Sequence, residues 1–411
     1  MDPPYLGIKI TETLRNKLKL IQTKNNGESG GNSLPDAEVN PVRRSDFVFT
    51  PFLRRSNLRA SWQVLATLVP IGGLWCLIPK IDQVIPNTAA KVFALLPVLG
   101  ILALLSSRAF SLMHDCGHSS LFRSRWLNRS MGFLLGGLNA IPQHPWSRDH
   151  AFHHLHNGNW EIYRGPIDVL TLQSYKELSE RNKFFYVISR HWLMLFPGGF
   201  YYLIIKPRLA LIQAIFDYIW SICGEFVDAL RKKRFGSLFK FSTRLRSNNS
   251  GYGNTFWQLS DLIANNFVVV VSWLLMSRWL GVGLFWSCYS VVMTLSAAIF
   301  ICLFFVQHNF KGSYASGTED WSSLLGAVEG SSNLEIPRWL NWFFADISFH
   351  SIHHLCDRIP NYNLRACHVQ NQELLSESMS LRLIDIPNCF DYILWDETLQ
   401  KLTTVEKANS T

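Results

Sequence analysis

The hydrophobic and polar positions of the chain sort into four long apolar stretches arranged as two pairs. Residues 62–79 and 92–113 form the first pair, and residues 262–280 and 282–306, divided only by Gly281, form the second. At about 1.5 Å per helical residue, each is close to the length that crosses a hydrocarbon core of about 30 Å. Pro70 and Gly72-Gly73 should bend the first stretch. The connectors are short, so each pair predicts an antiparallel hairpin. Two complete hairpins return the chain to the side from which it started. The pattern therefore predicts an all-α membrane protein with four transmembrane helices in two hairpins (62–113 and 262–306). An N-terminal region (1–61), a helical cap (114–261) and a C-terminal region (307–411) would share one face.

The cap contains two further apolar segments. Met131 to Ile141 is too short to cross and reads as re-entrant or interfacial. Phe184 to Ile205 approaches spanning length, but Arg190, His191 and Pro197-Gly198-Gly199 interrupt it. A fifth crossing would also carry the C-terminal region to the opposite side, so this piece is read as interfacial. Between 209 and 230, Gln213, Asp217, Ser221, Glu225 and Asp228 recur every three or four residues against Ile, Phe, Trp and Leu, which is the pattern of an amphipathic helix. The basic run Arg231-Lys232-Lys233-Arg234 follows it, suited to an anionic leaflet or to an acidic electron carrier. Thr23 to Asp46 lacks periodicity and reads as disordered. Residues 1–61 hold no uninterrupted apolar core of the kind a cleavable secretory signal requires. Residues 371–411 read as a short tail whose Ile384-Asp385-Ile386-Pro387 segment folds back on the cap.

Composition agrees with a membrane protein that carries sizeable polar parts: 48% hydrophobic and 13% aromatic residues against 17% charged. The net charge of +9 does not point to nucleic acid, because no nucleic-acid-binding module is visible and the basic residues flank the apolar stretches. Residues 1–61 carry 10 Lys and Arg, and residues 123–246 carry 18 against 8 Asp and Glu, whereas the first connector holds only Lys80 and Lys91. By the positive-inside rule the shared face, with both termini, is cytoplasmic. The eight cysteines are scattered, without a Cys-x-x-Cys pair, and read as small core residues of a reducing compartment.

Three histidine boxes lie on that face. They are His114-Asp115-Cys116-Gly117-His118, His150-Ala151-Phe152-His153-His154 and His350-Ser351-Ile352-His353-His354. Helical spacing of three and four places each set on one side of its helix, which gives eight imidazoles in all. One zinc ion needs at most four ligands. Eight imidazoles with few cysteines or carboxylates at matching spacing suit two iron ions with positions left open for dioxygen. A purely structural role would require eight imidazoles to be satisfied by chance at repeating intervals. A metal transporter would be expected to place ligands along its spans, not at their ends. A zinc peptidase would carry His-Glu-x-x-His, which is absent.

The boxes resemble those of the integral-membrane fatty acid desaturase family over residues 90–365, and the His-Asp-Cys-Gly-His form is most similar to the acyl-lipid Delta-12/omega-3 branch. Asn157-Gly158-Asn159-Trp160 and Ile359-Pro360-Asn361-Tyr362 also resemble the family's continuations after the second and third boxes. The resemblance implies an O2-dependent non-haem di-iron enzyme that uses two Fe2+ ions and inserts a double bond into a membrane-borne acyl chain. Lipid hydroxylases, acetylenases, alkane monooxygenases and carotenoid oxygenases share similar boxes and form the alternative reading. The resemblance also implies a further ligand near the end of the fourth stretch, where His308 stands. Asp115, Asp149, His144, His156 and Trp160 neighbour the boxes as candidate supporting residues, and for Trp160 core packing is the preferred reading. The third box begins with His350, not Gln, and Phe196-Pro197-Gly198-Gly199 lacks the haem-ligating histidine of a fused cytochrome b5 domain. Electrons would therefore come from a separate ferredoxin or cytochrome b5.

Overall fold

The computed structural model describes residues 42–165, 168–232 and 255–410. Two expectations lie wholly or largely outside them: disorder in Thr23–Asp46, of which only residues 42–46 are described, and the basic run after Lys232. The molecule is mostly helical and is built around α2 (Thr88–Gly117), which follows α1 (Asn57–Val84) after a three-residue turn. Ser56 and Asn87 cap the two helices by accepting from the amides of Arg59 and Ala90, which satisfies donors otherwise stranded at a helix start. Two short helices, α3 (Arg125–Leu138) and α4 (Gln143–His156), pack across the end of α2.

The cap then departs from expectation. Leu195–Phe200 (α5) runs through a π-turn at Tyr201–Ile205 into Lys206–Lys232 (α6). The separate interfacial and amphipathic pieces predicted here form one nearly continuous helical rod. Its Trp192–Gly224 portion is long and apolar enough to cross a membrane, so five helices among the described residues meet that criterion, not four. The Pro-Gly-Gly that argued against a span is a packing site: a Cβ on Gly199 would lie 2.7 Å from that of Ala297, so glycine lets α5 seat on the last long helix.

The second hairpin is α7 (Phe256–Leu280) and α8 (Val282–Val306), with Gly281 at φ +84° making the reversal. Helix α8 packs against α2 closely enough for Ser107 to reach the Ser296 hydroxyl (3.3 Å) and carbonyl (3.2 Å). Short helices follow, among them α9 (Ser323–Val328), α10 (Arg338–Phe343), α11 (His350–Leu355) and α12 (Asn361–Gln370).

The expectation of an all-α chain also needs correcting, since five short strands are present among the described residues. Ser332–Glu335 (β2) pairs in parallel with Met379–Arg382 (β3). Leu394–Asp396 (β4) pairs in parallel with Leu170–Thr171 (β1) and antiparallel with Lys401–Thr403 (β5). Runs of two to four residues are too short for a period-2 pattern to stand out. They incorporate the C-terminal region into the cap, where Asn309 donates to the Tyr392 carbonyl (3.0 Å). At the other end of the chain, Val42 and Phe47 are buried against Ile352, Leu355 and Leu364. The third-box helix is thus packed between the first described residues of the chain and helix α12.

Arg108 lies buried within α2, a charge the hydropathy pattern passes over. It donates to Thr67 Oγ1 (3.0 Å), Gln63 Oε1 (2.9 Å) and the Trp342 carbonyl, with its guanidinium 3.9 Å from the Trp342 ring. Gln63 exchanges hydrogen bonds with Asn361, whose amide donates to Asp115 Oδ2 (2.9 Å). A polar chain therefore runs from inside the helical bundle to the first histidine box.

Candidate metal centre

Each box is carried by a helix end. His114 closes the last turn of α2 and His118 caps it, one turn apart on the same side. His150, His153 and His154 lie on α4, and His350, His353 and His354 on α11. His308 follows the last turn of α8, its amide bonded to the Phe305 carbonyl (3.1 Å). All nine expected ligands converge, but each of the second and third boxes divides between two groups. The first group is His114, His118, His150, His154 and His353; the second is His153, His308, His350 and His354, with one ring nitrogen from each residue within 4.8 Å of the others in its group. Helix α4 gives two imidazoles to the first group and one to the second, and α11 does the reverse.

The facing atoms are Nε2 throughout. His154 Nε2 lies 3.0 Å from both His150 and His353 Nε2. In the second group, His350 Nε2 is 3.0 Å from His308 Nε2 and 3.1 Å from His354 Nε2, and His153 Nε2 is 3.1 Å from His308 Nε2. Metal–nitrogen bonds of about 2.1 Å at right angles put adjacent ligand atoms about 3.0 Å apart, which is the spacing seen. A tetrahedral site would set them wider.

For three rings the outer nitrogen fixes which atom faces inward as a lone pair. His308 Nδ1 is 3.0 Å from the Gly330 carbonyl, which can only accept, so Nδ1 carries the proton and Nε2 of the neutral ring is a lone pair. His118 Nδ1 lies 3.2 Å from Asp357 Oδ2 and His114 Nδ1 3.3 Å from Asp115 Oδ1, which orients these rings in the same way. Their Nε2 atoms are buried without a partner. A buried lone pair facing other nitrogens is costly unless a cation lies between them. The residues therefore fit a metal pair.

Burial keeps the site basic in the useful sense. Burial first, and neighbouring imidazoles second, hold His150, His153, His154, His350, His353 and His354 well below the usual imidazole range, and burial takes His308 down to about 4. These rings are neutral at pH 7, the form that binds metal. For Asp357 burial pushes upward, but the hydrogen bond from His118 and the charge of Arg44 prevail and hold it below the ordinary carboxylate range.

Of the candidate supporting residues, Asp115 bridges His114 and the start of α12. Asp149 is exposed and makes no hydrogen bond to a box histidine. His144 stands outside both groups, its amide tied to Asp261 Oδ2 (3.1 Å), and His156 turns away to the Phe152 carbonyl (3.0 Å). Trp160 packs with Val169, Ala315, Trp395 and Leu402. Sequence reasoning missed Asp357, which stands three residues after His354. It also missed Tyr163, whose ring is 5.1 Å from that of His153 and whose hydroxyl burial pushes to about 12. Missed too is the apolar floor: Trp146 stacks on His150 (4.8 Å, 14°), and Phe304 lies 5.7 Å from His114 and 6.0 Å from His350. Both are one turn before a ligand position, a signal that a search for metal-binding residue types passes over.

The family model for fatty acid desaturases matches residues 88–382, which is most of the chain and includes all three boxes. The chain belongs to the fatty acid desaturase family. It is similar to a fatty acid desaturase of Bacillus subtilis, at 29% identity over 338 residues and 82% of each chain. It is also similar to proteins named sn-1 oleoyl-lipid 12-desaturase, from Anabaena variabilis at 24% over 335 residues (78% of each chain) and from Synechocystis at 25% over 262 residues (63% of each). This desaturase is an integral membrane oxidoreductase, and its histidine cluster is suited to metal.

The outer partner of His118 is open to test. Replacing Asp357 by Ala removes the acceptor that fixes that ring's tautomer, and losses of this kind lower metal affinity about 10- to 100-fold. Competition against a chelator of known affinity should show that drop in Asp357→Ala, with Asp357→Asn, which keeps an acceptor oxygen, falling less.

Proposed function

We propose that this desaturase introduces a double bond into the acyl chain of a membrane lipid, using two Fe2+ ions and dioxygen. The nine histidines would hold the ions, five around one and four around the other. The observation that carries the reading is the inward lone pair on His308, fixed by the Gly330 carbonyl and facing two more imidazoles.

With dioxygen, two electrons and two protons, bound iron would supply the oxidant that takes one hydrogen from each of two adjacent methylenes, leaving an alkene and two waters. The chain's own residues do the rest. Asp115, Asp357 and the Gly330 carbonyl orient three rings. Phe304 and Trp146, backed by the stacked pair Phe110 and Phe300 (3.8 Å), form a dry wall between the α2–α8 contact and the imidazoles. An acyl methylene held there would be positioned by distance, because neighbouring methylenes do not differ in reactivity.

Parity supports four crossings over five. Helices α2 and α8 both end at the histidine cluster, so an even number of crossings separates those ends. Were α5–α6 to cross fully as well as α7 and α8, His308 would lie across the membrane from His114. The rod Trp192–Gly224 is then embedded without a full crossing, and Lys206 and Arg208 within it fit that role. The basic flanks favour a cytoplasmic side for the shared face, both termini and the cap. A separate carrier, ferredoxin or cytochrome b5, would deliver electrons.

Expression in a host that lacks the product, followed by analysis of fatty acid methyl esters, tests the function. A new unsaturated species in cells carrying the chain, absent with empty vector, is the expected result. An unchanged profile from iron-loaded protein supplied with a reductant, accompanied by hydroxylated lipids or oxidised carotenoids, would replace the reading with one of its relatives.

A further inference from the structure

Four arginines meet where the membrane helices end. Arg54 and Arg55 stand just ahead of α1, Arg123 lies six residues after α2 ends, and Arg358 follows Asp357. With Leu53 they line an open cavity of about 550 Å³. None has an ion-pair partner among the described residues, and Arg55 Nε is enclosed without any hydrogen-bond acceptor. The backbone holds the cluster open: Arg123 Nε donates to the Arg55 carbonyl (2.8 Å), and the Arg123 amide donates to Asn57 Oδ1 (2.9 Å). Arginines gathered without counter-charge repel one another unless an anion is shared between them.

We propose that this cavity binds the anionic phosphate or sulfonate headgroup of the lipid that carries the acyl chain. The inference names the acyl carrier and rests on the desaturase reading. Three observations favour a lipid headgroup. The cavity sits at the ends of α1 and α2, at the level of the headgroup layer. It is a shallow, open recess lined by four arginines, with room for one anionic headgroup, whereas a protein carrier would need about 800 Å² of matching surface. And Arg358 is the residue after Asp357, whose carboxylate holds His118, so a chain anchored here begins beside the metal centre.

The test uses purified full-length protein in neutral detergent with monomeric dihexanoyl-phosphatidylglycerol as probe, titrated by calorimetry. Arg54→Gln/Arg358→Gln is the variant, because both side chains are exposed and hold no hydrogen bond in the structure. The proposal expects at least tenfold weaker binding in the variant, intermediate binding in Arg54→Lys/Arg358→Lys, and at least tenfold weaker binding of uncharged dihexanoylglycerol to wild type. Unchanged affinity in the Gln variant, with the fold intact by circular dichroism, overturns it. Inorganic phosphate that competes at concentrations equal to the lipid also overturns it and assigns the cavity to a soluble anion. Unchanged lipid binding with slower reduction by an acidic carrier protein gives the surface to that carrier instead. The titration needs neither iron nor turnover, so its failure leaves the desaturase reading standing, and the failure of that reading would not alter the titration.

Discussion

His350→Ala should abolish desaturation, with product below about 1% of wild type and at most one iron per chain retained. His350 Nε2 stands between His308 and His354 in the second group, at 3.0 and 3.1 Å. Removing it leaves three imidazoles, two of which have lost a neighbour across the ion, and opens a void at a fully buried position. Displacing a reacting centre by about 1 Å already costs around 100-fold, and the di-iron reading proposed above needs both ions. His144→Ala is the informative control. It removes an imidazole six residues before the second box but outside both groups, so more than half of wild-type activity and both irons should remain. Equal losses in the two variants would show that a histidine count, not this geometry, governs the site.

The metal-free protein should lose its folded cap on acidification, between about pH 6.5 and 5. Seven imidazoles outside the membrane helices are held neutral by burial. The folded state therefore resists protonation, while the unfolded cap takes up protons below the ordinary value of about 6.5, so stability is full above that value and falls as pH drops through it. His308 alone reaches about 3 kcal/mol once pH passes its folded value of about 4. The other six rings are shifted in the same direction, so their losses add to that of His308. Bound metal competes with protons for the same lone pairs, so loading should move the midpoint to lower pH. Tryptophan fluorescence followed through a pH titration, with and without iron, measures both; a midpoint below pH 4 without metal would contradict the burial of these rings.

Much of the site was legible because metal chemistry imposes spacing. Imidazoles at i, i+3 and i+4 are visible in a string of letters, and so is a run of twenty apolar residues. The division of the second and third boxes between two groups was not legible, since residues on one side of a helix can still diverge by the angle between i+3 and i+4. Asp357 and the Gly330 carbonyl act across 239 and 22 residues respectively, and nothing local marks them. The continuity of the rod through Pro197 is not legible because proline and glycine ordinarily break helices, although Pro197 falls in the first turn of α5, where its missing N–H costs nothing, and Gly199 serves contact with Ala297. The small sheets escaped because their pairing is decided by tertiary proximity: β2 meets β3, which begins 44 residues after the last of its own.

The unequal division of the third box has a consequence for biogenesis. Four of the five imidazoles of the first group lie before residue 155, whereas the second group has only His153 and His308 until α11 is made. An ion could therefore lodge at the first position while the chain is still being synthesised, with His353 arriving as a fifth ligand. The second position does not exist until the C-terminal helices dock. Maturation of the pair would then be ordered, and a chain cut short of residue 350 would be trapped as a one-metal protein.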